Sequence, residues 1–534
     1  MSRFAEFVLS LAAGPIQLRE LRATFRGWRF MVIFTASLVI ALFILWVAAF
    51  AFMTDREPSS EVGQVTFVVL LTVQAALIGL LLPGFAGTSI VRERDQSTVE
   101  LLATTTIRPS QIVWGQFVAS MGYVATYLFA TLPLMAFPLW FGGLVGWEPV
   151  VAYLGLFLMA ALIAMWSIYV SATSGSIARA TIMSYLFVFF LGGPLIGALV
   201  EIIDHATRGR GNLSEIIELI SSYAWPITIN AAFGFAAPFT FLFIAAVNRL
   251  KPIGANRALP VRLVTLACMP ATAALMLGNY QHFTGKDSRG SRIDYAFAFW
   301  IVLAVFAAAN TFMASEGPLE GKRLVKQRAA WSGLRWPLRF LLPGGGRAFV
   351  FSLLLGAGVL AGAAWYMIRV YLWDVPEAAD AVGASLAVIG SLAVFGAGFG
   401  LYIGALRLTT TVARSVWFLG VIFIPVVGTI WQLAAYGDFP DIMRWDAPGY
   451  LVFPFVLYKT WYHFAEDKVM PEIGGHTPIL VPFIIFHLGL GIVFAVAGAF
   501  AMIRREREAR EVVFGPRAPS PAPAPAASAP EPAA

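Results

Sequence analysis

Residues 66–102 read TFVVLLTVQAALIGLLLPGFAGTSIVRERDQSTVELL, an apolar run followed abruptly by a charged segment. The apolar part, 66–89, contains no Asp, Glu, Lys or Arg. A helix needs about 20 apolar residues to cross the hydrocarbon core of a bilayer. A spanning segment is helical because lipid offers its backbone no hydrogen-bond partners. The stretch therefore predicts a transmembrane helix that ends in a charged loop.

The whole chain shares the composition of this stretch. Its 534 residues are 59% hydrophobic and only 13% charged, with a mean hydropathy of +0.76. Soluble domains carry about 25% charged residues. This excludes a soluble enzyme and a disordered chain, and it predicts an all-α polytopic integral membrane protein. The single cysteine, Cys268, excludes a disulfide framework and a Cys-based zinc site.

The apolar runs predict about 12 transmembrane helices. They cover residues 31–53, 66–89, 112–141, 150–172, 180–200, 225–248, 261–280, 294–314, 348–368, 383–406, 415–436 and 478–503. A shorter apolar piece, 449–464, contains Pro454, Lys459 and His463. We expect this piece to lie in the membrane interface or to re-enter the membrane.

The basic residues predict the orientation, because Lys and Arg concentrate in cytoplasmic loops. With both termini in the cytoplasm, the inner segments hold 27 of the 37 Lys and Arg residues and the outer segments hold 10. A thirteenth span at 449–464 would move the basic cluster 504–510 to the outside. The net charge of +7 thus reflects membrane topology, and we expect no nucleic-acid partner.

The layout divides the chain into two six-helix halves of the same orientation, which is a parallel internal repeat of the kind found in transporters. Both halves have a charged inner loop between their second and third spans, 90–111 and 315–347. The predicted parts are a cytoplasmic amphipathic N-terminal segment (1–30), the first half (31–250), the second half (251–503) and a cytoplasmic tail, basic and then Pro/Ala-rich and disordered (504–534).

The loop after the second span carries the clearest chemical signal. Its charged start is followed by a helical stretch in which Val99 and Leu102 share one face. Such a helix would lie along the inner membrane surface and present charge to a soluble partner. A solvated loop that merely follows the positive-inside rule has the same composition.

This loop resembles that of the permease (transmembrane) subunits of ABC-2 type transporters. The family pattern is Arg-Glu-x-x-Gly-Thr-Leu-Glu-Leu-Leu, then Thr-Pro-Leu and, after a short gap, Ile and Gly-Lys. The segment 14–22 is also similar to the family's Asn-Pro-x-x-x-x-Glu-Leu-Arg segment. The second half resembles the family only by its layout. The loop matches are Arg92, Glu93, Thr98 to Leu102, Thr105, Ile107, Ile112 and Gly115, and the departures are Ser97 for Gly, Thr106 for Pro and Gln116 for Lys.

The resemblance implies a permease subunit of the bacterial inner (plasma) membrane that works with a separate ABC ATPase, more often for export than for import. ATP and Mg would be bound by that partner, so no catalytic or cofactor site is expected in this chain. The sequence agrees, since it lacks a Gly-x-x-x-x-Gly-Lys-Ser/Thr phosphate loop. The nearest piece, 317–323, has the wrong spacing. A homodimer and a heteromer both remain open.

In the family, the loop after the second span is the coupling element that contacts the ATPase. The loop 315–347 lacks the Thr-Leu-Glu-Leu-Leu core, so a second docking site there is left open. The candidate docking residues within 90–111 are Arg92, Glu93, Arg94, Val99, Glu100, Leu101 and Leu102.

His487 is a further candidate, because it lies within the last predicted span. Ionisable residues at membrane depth are costly and often functional. The alternative is a packed, neutral imidazole. The histidines show no metal-ligand spacing, so no metal site is expected.

Two other functions fit the same spans. A twelve-helix secondary carrier shares the even span number and the repeat, but it needs a coupling-ion site, and no predicted span has a central carboxylate. A non-transporting membrane scaffold would bind proteins through the same loops. The sequence leaves the transported substrate open.

Overall fold

The structure is a computed structural model, and it describes only part of the chain. In this part the backbone is helical and contains no strand, which confirms the predicted all-α class for these residues. The piece 449–464, the tail from 515 and nearly all of the N-terminal segment lie outside the described residues. The described ranges are 28–54, 59–95, 108–141, 148–188, 235–251, 257–278, 340–371, 378–406 and 480–514, with shorter pieces within 299–317 and 412–423.

The first part of the chain forms eight described helices. Proline or glycine lies near several of the boundaries, since proline has no backbone N–H to donate and glycine has a low helix propensity. The helices are α1 (Trp28–Thr54), α2 (Ser59–Ala86), α3 (Ser89–Asp95), α4 (Pro109–Thr131), which continues through a 3-10 turn (Leu132–Met135) into α5 (Ala136–Phe141), then α6 (Glu148–Thr173), α7 (Ile177–Phe187) and α8 (Phe235–Leu250).

The second part contains four long described helices and several short turns. Gly344 has a φ of 128° at the start of one of them, a conformation that glycine adopts without strain. The helices are α9 (Ala258–Gly278), α10 (Gly345–Tyr366), α11 (Ala378–Ala405) and α12 (Leu480–Phe514), with a 3-10 turn at Phe312–Ser315 and π turns at Met367–Tyr371 and Leu419–Phe423.

Seven of the described helical stretches are long and apolar enough to cross a membrane, so the protein is a membrane-embedded helical protein. Each overlaps one predicted span, and three shorter apolar helices, α7, α8 and part of α1, overlap three more. The predicted spans 294–314 and 415–436 are described only in pieces, so the number twelve stays a prediction. The seven stretches are Gly63–Asp95, Pro109–Phe141, Ala152–Thr173, Ala258–Leu275, Gly345–Arg369, Val382–Ala405 and Phe483–Val512.

The buried apolar side chains of the described residues form five clusters. Two clusters draw only on residues before position 251, and they include the fully buried Phe67 and Ile168. The other three draw only on residues after it, with Trp300 fully buried in the largest. In each of these clusters, therefore, side chains from one side of position 251 pack with one another.

Helices α11 and α12 approach each other closely through glycines. A Cβ at Gly491 would lie 2.7 Å from the Cα of Phe395, and one at Gly498 would lie 2.6 Å from the backbone nitrogen of Tyr402. Helices in membranes associate through such small residues, because lipid tails supply no hydrophobic force between them. The glycines therefore allow the backbone contact on which this pair depends.

Helix α12 continues beyond the predicted span end at 503 and reaches Phe514. In this extension Arg505 donates hydrogen bonds to the carbonyls of Ala405 (3.1 Å) and Leu406 (2.7 Å). These carbonyls lie at the end of α11, where no further backbone N–H is available within the helix. The start of the predicted tail is thus helical and bonded to the bundle.

Candidate partner-docking site

A two-residue turn, Gly87 and Thr88, separates α2 from α3. Pro83 removes one backbone hydrogen bond inside α2. The hydroxyl of Tyr185 donates to the carbonyl of Leu80, 2.7 Å away, three residues before the proline. Gly87 lies in the turn, and a Cβ there would be 2.7 Å from the Oγ of Ser184. The turn thus packs closely against α7, and any residue with a Cβ at position 87 would collide with Ser184.

Helix α3 is held at its start by one buried serine. The backbone N–H groups of Ile90 and Val91 each donate to the Oγ of Ser171, at 3.1 Å. The first N–H groups of a helix have no partner within the helix. Both residues are fully buried, which keeps water from replacing the serine. Ser171 therefore connects α3 to the last turn of α6.

Near its other end, α3 is held by Arg94. The guanidinium of Arg94 donates to the carbonyls of Ser174 (2.9 Å) and Ala172 (3.1 Å). These carbonyls end α6, where a positive charge also interacts favourably with the helix dipole. Arg94, which the sequence placed in the docking set, thus makes contacts within the chain.

The outward side of this region is polar and accessible. Arg92, Arg94 and Asp95 are exposed and Glu93 is half-buried. The neighbouring start of α7 exposes Ile177 and Arg179. We call residues 92–95 and 177–179 the elbow surface. The remaining candidate docking residues, Val99, Glu100, Leu101 and Leu102, lie outside the described residues.

The inward side of α3 belongs to an apolar cluster. Ile90 and Val91 pack there with Val113 of α4, Ile168 of α6 and Ala245 of α8. Side chains in a densely packed cluster transmit displacement, because few voids absorb it. A displacement of the elbow surface would therefore be transmitted to α4, α6 and α8.

In the second part of the chain, an ion pair and hydrogen bonds from the fully buried Arg262 join both ends of the loop 315–347. Arg262 on α9 is fully buried and contacts the carboxylate of Glu316 at 2.6 Å. The same guanidinium donates to the carbonyls of Phe340 and Leu342. Residues 318–339 lie outside the described part, so a second docking site there stays a prediction.

His487 lies in a buried aromatic environment on α12. Its ring centroid is 4.1 Å from that of Phe483, 5.3 Å from that of Phe486 and 5.6 Å from that of Phe395. Its Nδ1 is 2.9 Å from the carbonyl of Phe483 in the preceding turn. Across the described ranges, no group of three or more His, Cys, Asp or Glu residues could hold a metal ion.

Sequence reasoning missed the residues that anchor the elbow. Ser171 was one of several serines at the ends of apolar runs, and nothing local marks it as an acceptor for residues 80 positions earlier. One signal was present, since Ile90 and Val91 continue the apolar run up to the first charge. Their place before Arg92 indicates a helix that stays packed against the bundle after the span ends.

No family model matches the chain, and no curated protein or solved structure matches it either. The resemblance to ABC-2 permeases thus rests on the residues of the loop 90–111 and of the segment 14–22.

Proposed function

We propose that this chain is the permease subunit of an ATP-driven ABC-2 type transporter. It exports a substrate across the bacterial inner membrane, with both termini in the cytoplasm. Twelve spans form two six-helix halves. A separate ABC ATPase, which binds ATP and Mg, docks on the loop 90–111 through the elbow surface.

The attachment of α3 is the observation that supports this proposal. The helix has a buried apolar side at Ile90 and Val91 and a charged side at Arg92. Ser171 and Arg94 bond it to the last residues of α6. A docking element needs both properties, because it must present polar groups to a soluble partner and pass the partner's movement to the membrane helices.

In the proposed mechanism, ATP binding by the partner displaces the elbow surface. The bonds from Ser171 and Arg94 move α6 together with α3, and the cluster around Ile168 carries the displacement to α4 and α8. The two halves then expose a cavity between them alternately to the two sides. The separation of the apolar clusters at position 251 supports the division into halves.

The proposal is tested by purifying the tagged chain from its native membranes in mild detergent and measuring the ATPase that accompanies it. Arg92→Glu reverses an exposed charge on the elbow surface and leaves the anchors intact. We expect co-purified ATPase to fall roughly tenfold, which corresponds to about 1.4 kcal/mol. Arg510→Glu, at an exposed arginine of α12, is the matched control and should retain the ATPase.

A deletion of residues 92–104 should abolish the association with the ATPase. A single symmetrical peak in gel filtration will establish that each variant is folded. If the deletion and Arg92→Glu both retain as much ATPase as the unaltered chain, the docking assignment is wrong. A purified chain that is folded and carries no ATPase would favour the carrier or the scaffold.

The two rival functions differ in their energy source. Transport by membrane vesicles that contain the permease should stop on ATP depletion and persist when ion gradients are dissipated, and a secondary carrier should show the reverse. A scaffold would bind proteins without any substrate-stimulated ATP hydrolysis.

A further inference from the structure

The junction between α8 and α9 carries a local excess of positive charge. Arg249 and Lys251 lie at the end of α8, and Arg257 directly precedes α9. The sequence contains no Asp or Glu between Glu218 and Asp287. The described ion pairs join other residues, so none of them involves these three cations. Within the described part of the chain, the charge of the junction is therefore not balanced by an ion pair.

Hydrogen bonds hold the polar residues of this junction together. The ammonium group of Lys251 donates to the Oδ1 of Asn248, 2.6 Å away. The guanidinium of Arg257 donates through Nη2 to the backbone carbonyl of Lys251. Residues from the end of α8 and from the start of α9 thus contact the same lysine. We call Asn248, Arg249, Lys251 and Arg257 the junction cluster.

Three donor atoms of the junction cluster are buried without a hydrogen-bond partner among the residues that the structure describes. They are the Nδ2 of Asn248, the Nη2 of Arg249 and the Nε of Arg257. Asn248 is only 3% exposed, and its amide orientation is fixed, because its oxygen accepts from Lys251. A buried donor without an acceptor is unfavourable, and more so when it is charged. Burial also lowers the pKa of Arg257, as expected for a cation without a counter-ion.

The chemistry of these groups indicates which ligand would satisfy them. All three atoms are donors and the cluster is cationic, so the matching group is an acceptor with negative charge. A carboxylate has two oxygens, whereas a phosphate has more oxygens in a tetrahedral arrangement and can accept from several side chains at once. Guanidinium groups also match the geometry of phosphate. Arg249, Lys251 and Arg257 are only half-buried, so an anion can approach them from the surface.

We propose that the junction cluster binds the phosphate group of an anionic molecule at the membrane surface. Two sources present this chemistry there, the headgroup of an anionic phospholipid and a soluble phosphate compound. Basic residues between membrane helices recognise such headgroups, and the start of α9 adds the positive end of a helix dipole. The inference does not rest on the transporter proposal. Its test involves no ATPase, so the two proposals fail separately.

Binding is measured by native mass spectrometry and by thermal unfolding of the purified full chain in a neutral detergent. The lipid probe is phosphatidylglycerol, compared with a diacylglycerol of the same acyl chains, which lacks the phosphate. The soluble probe is inorganic phosphate, compared with chloride at equal ionic strength. A bound probe should raise the melting temperature. Tighter binding of phosphatidylglycerol assigns the site to a lipid headgroup, and tighter binding of inorganic phosphate assigns it to a soluble compound. If neither probe exceeds its comparison, the proposal is overturned.

The position of the site is tested with Arg257→Gln, which removes the charge and keeps an amide donor. We expect this variant to bind the phosphate probe roughly tenfold more weakly, because it loses a charged hydrogen-bond donor. The matched control is Arg179→Gln, which removes the charge of an exposed arginine at the start of α7, and it should bind like the unaltered chain. Equal binding by both variants would overturn the assignment to the junction cluster.

A second variant distinguishes ligand binding from a purely structural role. Asn248→Asp changes the side chain little in size but places a carboxylate among the three cations, where it would take the role of the anion. Without any probe this variant should melt at a higher temperature than the unaltered chain, and the phosphate probe should no longer stabilise it. A lower melting temperature combined with unchanged phosphate binding would show that the cluster does not hold an anion at Asn248.

Discussion

Replacing Ser171 by alanine tests the anchoring of the elbow directly. The substitution removes the Oγ that accepts hydrogen bonds from the N–H groups of Ile90 and Val91. It creates almost no cavity, because only one oxygen is lost. Ser167 is a matched control one turn earlier on α6. It is also fully buried, but its Oγ has no hydrogen-bond partner among the residues that the structure describes.

The expected destabilisation by Ser171→Ala follows from the burial of the two N–H groups. A buried polar group that loses its partner costs about 1–3 kcal/mol. The two N–H groups share one acceptor, so the costs do not add fully, and we expect about 2 kcal/mol of local destabilisation. Since 1.4 kcal/mol is tenfold in an equilibrium constant, the opening of α3 should become roughly 30 times more frequent. Ser167→Ala should change it little.

Hydrogen–deuterium exchange with mass spectrometry measures this opening. The purified chain in detergent is labelled over seconds to hours, and peptides that cover 87–95 are compared. Ser171→Ala should accelerate exchange there by roughly 30-fold, while peptides of α12 stay unchanged. Equal exchange in Ser171→Ala and Ser167→Ala, whether fast or slow, would refute the assignment of Ser171 as the anchor.

Three further predictions concern stability, measured by thermal or denaturant unfolding in detergent, and the last of them also concerns transport. Gly491→Leu, which collides with the backbone of the neighbouring helix, should destabilise by about 1–3 kcal/mol or more, and Gly489→Leu, with open space at Cβ, should not. Arg262→Ala should cost about 3 kcal/mol, the lower end for a buried ion pair because the Glu316 side chain stays 19% exposed, and more than Glu316→Gln, which leaves the guanidinium its carbonyl partners. His487→Phe should preserve both folding and transport if the imidazole only packs among aromatic rings, and loss of transport alone would support a functional role.

Seven of the predicted spans coincide with helices long enough to cross a membrane, and the sequence could predict these because each span satisfies its own backbone. The run 66–89 needed no partner to be identified as a helix, and the structure has α2 there. The bounds differ where polar residues join a helix, since α2 begins at Ser59 and α12 ends at Phe514. Hydropathy marks the lipid-facing length of a helix and carries no signal for its ends outside the lipid.

The candidate site was predicted less completely. The sequence indicated that the charges at 92–95 follow a span, and it assigned Arg92, Glu93 and Arg94 together to a partner. In the structure both Arg92 and Arg94 are exposed, but Arg94 also donates hydrogen bonds to the carbonyls at the end of α6. Two arginines of the same charge and almost the same position thus differ in role, because their directions around a short helix differ relative to a neighbour that lies about 80 residues away in sequence.

The sequence by itself determined the membrane class, the helical backbone of the described residues and the approximate positions of their seven membrane-length helices, because run length and composition act locally in a solvent that offers no hydrogen bonds. Only the tertiary structure decided which carbonyls Arg94 and Arg505 bond and which serine holds α3. It also distinguished glycines that look alike in the sequence, since Gly491 is in backbone contact with α11 whereas a Cβ at Gly358 would meet no atom within 4 Å. Such differences depend on which helix surfaces meet when the helices pack. These contacts join segments that are far apart in the sequence, so no local stretch of residues determines them.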